Sequence, residues 1–509
     1  MRILQNARVG RRRPGLRSFV SVLAFGVALG FMPDASASTI EFTTPVNLSN
    51  NLGKARESRD DQESGRRLGR KARRVGNHVY VAWQDRAGVP DLTGKATEDI
   101  FFRFSVNGGV GATWIPQVNI ADPTLSEPAL NLSNDANVST EPRLDADDRG
   151  NVYLVWQDES VGRVKFRRLL VTGKTAITVV VNDQVNPTPA PGNKRTFPDI
   201  ALDAQGTVHV AWVQGGRVFY RRSTDQGVNF GTTQTITGSS GPCAAVGSGL
   251  EAELAVDNDG RASIVWQNGS TVCYNRVVNE VPGGPPDFPK VVDTNAIADA
   301  GPTVVADASG RVHVTWIGKD GVKQRTFYAR STNAGMSFST LMAMTPSTVP
   351  GLSGDDGADK ARIAAAGQVV ALVWFEKVTN NEVFVARSSD GGASFQGAKV
   401  SDPAVSHPAG THPRAEDPRM AIGADGLVHV AWRQGNGTTV DDAMYARQSA
   451  GAGLVFSAPV VISCPDNTAA CPGIDPSRVS PKIDDPVVDV DGNGNALVVY
   501  DSNDVHGGL

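Results

Sequence analysis

Three arginines occupy the same position in separate repeats of this chain, at the start of the first predicted strand of each repeat: Arg143, Arg362 and Arg419. A guanidinium group can hold a carboxylate through two parallel N–H···O bonds, so arginines that converge from separate repeats could clamp an anion. The same position holds acids, Asp199 and Glu253, in two other repeats. The residue types therefore support two hypotheses, a carboxylate-binding site and a structural ring of ion pairs.

Three carboxylates are candidates for acid or base chemistry on the same side of the predicted strands: Glu253, Glu376 and Asp158. Two such groups could act as acid and base on a glycosidic bond, but their spacing in sequence does not define the separation that this reaction requires. The chain contains no G-x-S-x-G elbow, phosphate-binding loop or H-E-x-x-H zinc motif. We therefore leave the catalytic residues unassigned, and we expect neither a cofactor nor a bound metal.

A repeated unit of strands positions these residues. Residues 197–230 illustrate the unit, because alternating apolar residues predict three strands and the start of a fourth, separated by turns rich in Asp and Gly. The aromatic residue that ends the second strand recurs at intervals of 50 to 73 residues, at Trp83, Trp156, Trp212, Trp266, Trp316, Trp374, Trp432 and Tyr500. A four-stranded antiparallel unit that repeats in this way predicts the blades of a β-propeller.

The turn after the third strand carries a second repeated pattern, S-x-D-x-G-x-x-F. Its best copies are Ser223, Asp225, Gly227 and Phe230; Ser331, Asn333, Gly335 and Phe338; and Ser388, Asp390, Gly392 and Phe395. Short Ser and Asp side chains can bond the N–H groups of their own turn, and Gly permits a positive φ. We therefore predict a structural role for these residues.

This pattern resembles the Asp box, or BNR repeat, of the sialidase superfamily. The resemblance extends over nearly all of the chain and implies a β-propeller in which the box is a hairpin away from the active site. It also implies a ligand-binding role for Arg143, Arg362 and Arg419, because sialidases bind the sugar carboxylate with three arginines from different blades. The chain departs from the superfamily at the nucleophile, since none of its tyrosines begins a predicted inner strand.

The predicted fold is all-β, a single β-propeller over residues 38–509 with four-stranded antiparallel blades. The eight repeated aromatics favour eight blades, and seven is the alternative. Residues 39–50 are predicted to be a fourth strand that closes the last blade. Residues 54–74 are rich in charge and are predicted to be a solvated insertion.

Residues 1–37 have the pattern of a secretory signal peptide. Arginines precede an apolar run from Phe19 to Met32, and the small residues Ala35, Ser36 and Ala37 follow it. The apolar run is too short to span a bilayer, so we expect no transmembrane segment.

The four cysteines are Cys243, Cys273, Cys464 and Cys471. An even number of cysteines in an exported chain favours disulfides, and the local pairing joins the first two and the last two. The formal net charge of −4 argues against nucleic acid as a partner.

Alternating strand directions divide the loops between two faces. The face at which the first strands begin, here called face one, receives the long connections, and the tight turns lie on the opposite face, face two. Binding usually resides in long loops over a rigid scaffold. We therefore predict an exported, periplasmic or extracellular, module that binds a glycan or a cell-envelope protein on face one. The alternative is an exo-acting glycoside hydrolase of sialidase type, an exo-α-sialidase.

Overall fold

The computed structural model describes residues 2–9, 40–41, 46–47, 55–56, 71–85, 98–109, 114–116, 129–133, 137–172, 176–182, 185–186, 196–246, 252–283, 288–297, 301–353, 356–377, 381–405, 414–435, 441–451, 453–463 and 483–502. All of the regular structure in these ranges is β-strand. Accordingly, the described residues include no helix of the length and apolarity that a membrane span requires.

Both ends of the described chain belong to one antiparallel sheet, which we call the closing sheet. Its strands from the beginning of the chain are β1 (Arg2–Val9), β2 (Ile40–Glu41) and β3 (Val46–Asn47). Its strands from the end are β35 (Ile483–Val490) and β36 (Ala496–Ser502). β36 pairs with both β35 and β1, and β1 in turn pairs with β2 and β3.

Seven blades follow one another between these ends, each an antiparallel sheet. Blade 1 contains β4 (Ala55–Arg56), β5 (Ala72–Val75), β6 (His78–Asp85), β7 (Asp99–Ser105), β8 (Trp114–Ile115) and β9 (Leu130–Asn131). Blade 2 contains β10 (Ser139–Ala146), β11 (Asn151–Asp158), β12 (Arg163–Thr172) and β13 (Ala176–Asn182). Blade 3 contains β14 (Asp199–Leu202), β15 (Val208–Gln214), β16 (Arg217–Ser223) and β17 (Gln234–Thr235).

The remaining four blades continue the pattern. Blade 4 contains β18 (Ala252–Val256), β19 (Ala262–Asn268), β20 (Thr271–Val278), β21 (Val281–Pro282) and β22 (Lys290–Asp293). Blade 5 contains β23 (Thr303–Ala306), β24 (Val312–Asp320), β25 (Lys323–Ser331) and β26 (Met342–Ala343). Blade 6 contains β27 (Ala358–Ala366), β28 (Val369–Glu376), β29 (Glu382–Ser388) and β30 (Gln396–Lys399). Blade 7 contains β31 (Arg414–Ile422), β32 (Val428–Gly435), β33 (Asp441–Arg447) and β34 (Val460–Val461).

The inner strands of successive sheets contact one another, and β35 contacts both β31 and β5, so the sheets form a ring. This arrangement confirms the predicted all-β propeller. The structure has seven blades of consecutive strands, the alternative number that the sequence left open, and the closing sheet stands where an eighth blade was favoured.

Two predicted segments meet in the closing sheet. Strands β2 and β3 fall within residues 39–50, the predicted closing strand, and β1 falls within residues 1–37, the predicted signal peptide. Cleavage after Ala37 and the place of β1 in the sheet exclude one another in one molecule, so the signal peptide stays a prediction. The predicted insertion at residues 54–74 contains β4 and most of β5, with residues 57–70 outside the described ranges.

The hydrophobic core lies between neighbouring sheets. All seven tryptophans of the repeat are at most 2% exposed, and Tyr500 is 1% exposed. In blade 3 the ring of Trp212 stacks on Phe219 of the next strand at 5.8 Å between centroids. The same cluster of apolar side chains includes Tyr153 and Phe166 of blade 2, so each blade covers the face of its neighbour. Burial of both faces explains why the second strands are continuous apolar runs.

The S-x-D-x-G turns lie on face two and bond internally. In blade 6 the Ser388 hydroxyl donates to Asp390 Oδ1 at 2.7 Å, and the Gly392 N–H donates to Ser388 Oγ at 2.8 Å. Phe395 packs edge-on against Tyr328 of blade 5, with ring centroids 5.0 Å apart. The aromatic residue of the turn therefore packs against the preceding blade as well as its own.

The same contacts recur in two other turns. The hydroxyls of Ser223 and Ser331 each accept an N–H from the glycine four residues later, at 2.7 and 2.9 Å. Phe230 packs against Phe166, and Phe338 against Tyr274, each on the preceding blade. These turns thus tie neighbouring blades together.

We predict that Gly392→Ala lowers the free energy of unfolding by about 3 kcal/mol. The alanine is strained because φ at this position is 79°, and its Cβ would overlap the Tyr328 hydroxyl. The matched control is Gly367→Ala, where φ is 59° and no atom lies within 4 Å of the added carbon. We expect a cost of about 1 kcal/mol there. Equal losses in urea denaturation would show that the contact with the preceding blade contributes little.

A buried ion pair joins blade 1 to the closing sheet. Arg74 Nη2 lies 2.7 Å from Asp491 Oδ2, and the two side chains are 2% and 0% exposed. The main-chain N–H of Arg74 also donates to Asp489 Oδ2 at 2.7 Å. These contacts hold together the sheets in which the two ends of the ring meet.

We predict that Arg74→Met destabilises the protein by about 3 kcal/mol, because it leaves Asp491 buried without its cation while preserving most of the side-chain volume. The control Arg217→Met removes an exposed arginine and is expected to change stability by less than about 0.5 kcal/mol. The comparison is made by chemical denaturation of both variants. A loss below about 1 kcal/mol for Arg74→Met would contradict the role of this pair in closing the ring.

Cys243 and Cys273 form a disulfide, as predicted, with their Cα atoms 5.7 Å apart. It joins the segment after blade 3 to the third strand of blade 4. Cys464 and Cys471 lie outside the described residues.

Candidate functional site

One residue from each inner strand contributes to a layer around the central channel, which we call the upper layer. Its members each pair with the residue before the repeated aromatic, and they are Arg143, Asp199, Glu253, Thr303, Arg362, Arg419 and Val487. In blade 1 the sequence left Arg70 or Arg73 for this place. The structure gives it to Lys71, whose carbonyl accepts the N–H of Ala82 at 2.9 Å. Arg73 pairs two residues deeper, with Tyr80, and Arg70 is outside the described residues.

A bulge precedes the upper layer in blades 2, 6 and 7. The register shifts between Thr140 and Arg143, between Asp359 and Arg362, and between Glu416 and Arg419. In each bulge the residue two before the arginine has a positive φ: 56° at Glu141, 51° at Lys360 and 52° at Asp417. Non-glycine residues adopt this conformation at a cost, and such residues concentrate at functional sites.

The three bulges give their arginines the same local geometry. Each guanidinium folds back onto the carbonyl of the preceding residue, with Nη1 to oxygen distances of 3.4 Å in Arg143, 2.8 Å in Arg362 and 3.3 Å in Arg419. A guanidinium has five N–H donors, so one bond to a carbonyl is compatible with bidentate contact to an anion.

A cavity of about 370 Å³ occupies the channel at the upper layer and below it. Arg362 and Arg419 line it, together with Glu253 and Thr303 of the same layer. Arg143 is not among the lining residues; it is buried, and its Nη1 lies 3.6 Å from Glu141 Oε2. The structure thus brings two of the three predicted arginines into one cavity and places the third in an ion pair within its own bulge.

The bulges of blades 6 and 7 are joined by their own side chains. Lys360 Nζ bonds Asp417 Oδ1 across the two blades, so the two residues of positive φ contact each other. Arg433 Nη2 lies 3.1 Å from Asp417 Oδ2 and 2.5 Å from Glu416 Oε2. This network holds Arg362 and Arg419 in place at the channel mouth.

The charges in the cavity are unevenly distributed around the ring. The upper-layer arginines that line it stand on the adjacent blades 6 and 7, and the upper-layer acids stand on the adjacent blades 3 and 4. Both oxygens of Asp199 accept main-chain N–H groups, from Ile200 and from Leu254 of the next blade, at 2.9 Å each. Asp199 therefore ties blade 3 to blade 4.

Arg73 contributes a third guanidinium in the deeper part of the cavity, between two carboxylates. Its Nε lies 3.2 Å from Asp145 Oδ1 on blade 2, and its Nη1 lies 3.4 Å from Asp489 Oδ2 on the closing sheet. The charge of Asp489 is the main cause of a raised pKa for Arg73. This group is thus part of a structural ion triad.

Two of the three candidate catalytic carboxylates are buried in structural contacts. Glu376 is 2% exposed, and its Oε1 accepts the indole N–H of Trp374 at 3.0 Å. Asp158 is fully buried, and its Oδ2 lies 3.0 Å from Lys165 Nζ. Neither residue lines the cavity, whereas Glu253 does.

The tyrosines lie away from this cavity. Among the residues described, those that line it include no tyrosine, and all seven tyrosines are buried, at most 1% exposed. Burial is the largest cause of raised pKa values in six of them, including Tyr274, whose pKa rises to about 12. A buried phenol with a raised pKa is a poor nucleophile at neutral pH.

Three histidines of the second strands bond these tyrosines. Nδ1 of His209, His313 and His429 lies 2.6, 2.7 and 2.6 Å from the hydroxyl of a tyrosine on the third strand of the same blade. His209 and His313 also contact an aspartate six residues earlier. His429 has Gly423 at that place, and its Nε2 has no hydrogen-bond partner within the described ranges. These histidines are buried and bond tyrosines of the core. The described residues contain no group of three or more His, Cys, Asp or Glu side chains that could hold a metal.

Burial, reinforced by the charge of Arg447, lowers the pKa of His429 to about 3. The unfolded chain then binds more protons than the folded protein below about pH 6.5, so this histidine lowers stability as the pH falls from about 6.5 towards 3. We predict that wild-type protein loses about 2 kcal/mol more than His429→Gln between pH 7 and pH 5 in urea denaturation. Above pH 7.5 the stability difference between the two proteins should be constant. Parallel pH profiles throughout would mean that His429 does not stay neutral in the folded state.

The long connections predicted on face one lie largely outside the described residues, including half of 401–416 and most of 463–484. The candidate site therefore consists of the channel mouth and its bulges. The bulge residues Glu141, Lys360 and Asp417 were not predicted from the sequence. The one signal that could have identified them is a charged residue two positions before each arginine.

The chain matches no protein-family model and no curated protein. Solved structures with some likeness include a polysaccharide lyase, the PL25 ulvan lyase, at 11% identity and a TM-score of 0.42, covering 72% of this chain and 91% of that one. The Hadza microbial sialidase Hz136 is 12% identical with a TM-score of 0.34, covering 69% and 74%. The NanB sialidase of Streptococcus pneumoniae is 12% identical with a TM-score of 0.35, covering 79% and 69%. These likenesses are too remote to support an argument about the activity of this chain.

Proposed function

We propose that this chain is an exported propeller that binds an acidic glycan, with the acid group held by Arg362 and Arg419 at the face-one mouth of the channel. The observation that carries the proposal is that these two guanidinium groups line one cavity from adjacent blades. Each arginine follows a bulge of the same kind on its own blade, and each donates to the carbonyl of the preceding residue. A bidentate arginine contact is the usual way to recognise a carboxylate with defined orientation.

The network behind the arginines supports this role. Forming the bulges places Lys360 and Asp417 in an unfavourable backbone conformation, and the two side chains then bond each other. A pre-organised pair of cations loses little freedom when an anion binds, and this favours affinity. Arg433, which bonds both Asp417 and Glu416, further restricts the second bulge.

Binding is preferred to hydrolysis because the groups that hydrolysis would need are engaged elsewhere. Glu376 bonds Trp374, and Asp158 pairs with Lys165. Glu253 alone of the three predicted carboxylates lines the cavity, and no tyrosine accompanies it among the described lining residues. The alternative, an exo-acting glycoside hydrolase of sialidase type, is supported by the resemblance of the repeats and by the arginines themselves.

Export of the protein is part of the proposal. It is supported by the arginine-rich, apolar and small-residue pattern of residues 1–37 and by the disulfide between Cys243 and Cys273. The ligand is then a glycan of the cell envelope or the surroundings.

The test is calorimetric titration of the purified protein with D-glucuronate and N-acetylneuraminate, with D-glucose as the neutral sugar. We expect binding of at least one acidic sugar and a roughly 10- to 100-fold loss of affinity in Arg362→Gln and in Arg419→Gln, since each removes charge-assisted hydrogen bonds.

The matched control is Arg143→Gln, which changes the same position of another blade but lies outside the cavity. We expect its affinity to stay within about twofold of wild type, with folding checked by circular dichroism. Equal losses in all three variants, or equal affinity for glucose, would contradict the proposed site. Release of a fluorophore from a sialoside in the same preparation would favour the hydrolase instead.

A further inference from the structure

Two further polar side chains, on blades 4 and 5, line the cavity beside the arginines. Glu253 and Thr303 occupy the upper layer there and line the cavity with Arg362 and Arg419. Reading around the ring from blade 4 to blade 7, the upper layer presents a carboxylate, a hydroxyl and two guanidinium groups. Acceptors and cationic donors therefore line one continuous arc.

Thr303 has a buried hydroxyl without a protein partner. The residue is 3% exposed, and its Oγ1 makes no hydrogen bond within the part of the chain that the structure describes. Buried hydroxyls are nearly always hydrogen-bonded, and an unmet one requires water or a ligand. Thr303 lines the cavity, so a molecule in the cavity can supply the missing bond.

Glu253 is an acid of the upper layer that lines the cavity. The residue is half-buried and extends from this layer into the cavity. A carboxylate in that position accepts hydrogen bonds from hydroxyl or amine groups and repels another carboxylate.

We propose that Glu253 and Thr303 are specificity-determining residues that require a hydrogen-bond donor on the ligand close to its acid group. The inference rests on the proposed function, since it takes Arg362 and Arg419 as the site of the acid. It narrows the preferred ligand to a hydroxylated or amino-substituted acid, which should bind more tightly than a plain carboxylate of the same size. A cavity of about 370 Å³ is at the small end of ligand sites and suits one sugar ring.

The experiment compares two probes that share a six-membered ring and a carboxylate, D-glucuronate and cyclohexanecarboxylate, by calorimetry on wild-type protein, Glu253→Gln and Thr303→Val. We expect wild-type protein to prefer glucuronate. Glu253→Gln should weaken glucuronate binding about tenfold and Thr303→Val about threefold, with cyclohexanecarboxylate unchanged or slightly tighter. Thr303→Ser keeps the hydroxyl and should keep the preference.

Three outcomes would overturn the inference, and they differ in what they imply for the proposed function. Wild-type binding of both probes with equal affinity overturns the inference and leaves the proposed function intact. Loss of both probes to the same extent in Glu253→Gln or Thr303→Val, with Thr303→Ser no better, assigns these residues to structure and also overturns it. Binding of neither probe by folded wild-type protein overturns the inference together with the proposed function.

Discussion

The packing of each blade against the next is the interaction on which the rest of this structure depends. Sheets in a propeller share no main-chain ladder with their neighbours, so side chains must hold the ring together. Buried tryptophans and the aromatics of the S-x-D-x-G turns supply apolar contact across the interfaces. Arginines of the third strands of blades 5 and 6 add polar ties, because Arg330 donates to the Gly391 carbonyl and Arg387 to the Gly426 carbonyl, each on the next blade.

Closure of the ring creates the site as a consequence. The inner strands stand side by side around the channel, and aspartates such as Asp145 and Asp199 bind N–H groups of the following blade to keep them there. In blades 6 and 7 a bulge precedes Arg362 and Arg419, and both arginines line the cavity at the channel mouth. The energetic cost of the bulge is offset by the bond between Lys360 and Asp417. The site thus depends on a local distortion that the surrounding ring stabilises.

Much of the fold could be predicted from the sequence because its determinants are periodic. The tryptophans, the Asp and Gly turns and the alternating strands repeat, and the residue before each aromatic identifies the partner on the inner strand. That register placed Arg362, Arg419, Glu253 and Asp199 in one layer, and the structure pairs them in this way.

The sequence was less informative where a single contact determines the position of a charged side chain. The inner strand of blade 1 was ambiguous because the charged residues Lys71, Arg73 and Arg74 lie close together in sequence. Asp489, which bonds both Arg73 and Arg74, is more than 400 residues away in sequence. Arg143 has the same local sequence as Arg419, with proline before it and an acid before that, yet it forms an ion pair with Glu141. Only the position of each side chain relative to its neighbours separates these two arginines.

The most direct test of this account is a crystal structure of the protein soaked with D-glucuronate or the acidic glycan that binds it best. The account predicts the carboxylate within hydrogen-bonding distance of Arg362 and Arg419 at the channel mouth, with sugar hydroxyls facing Glu253 and Thr303. A ligand bound at the outer edge of the blades, or on face two, with the channel unoccupied, would contradict it.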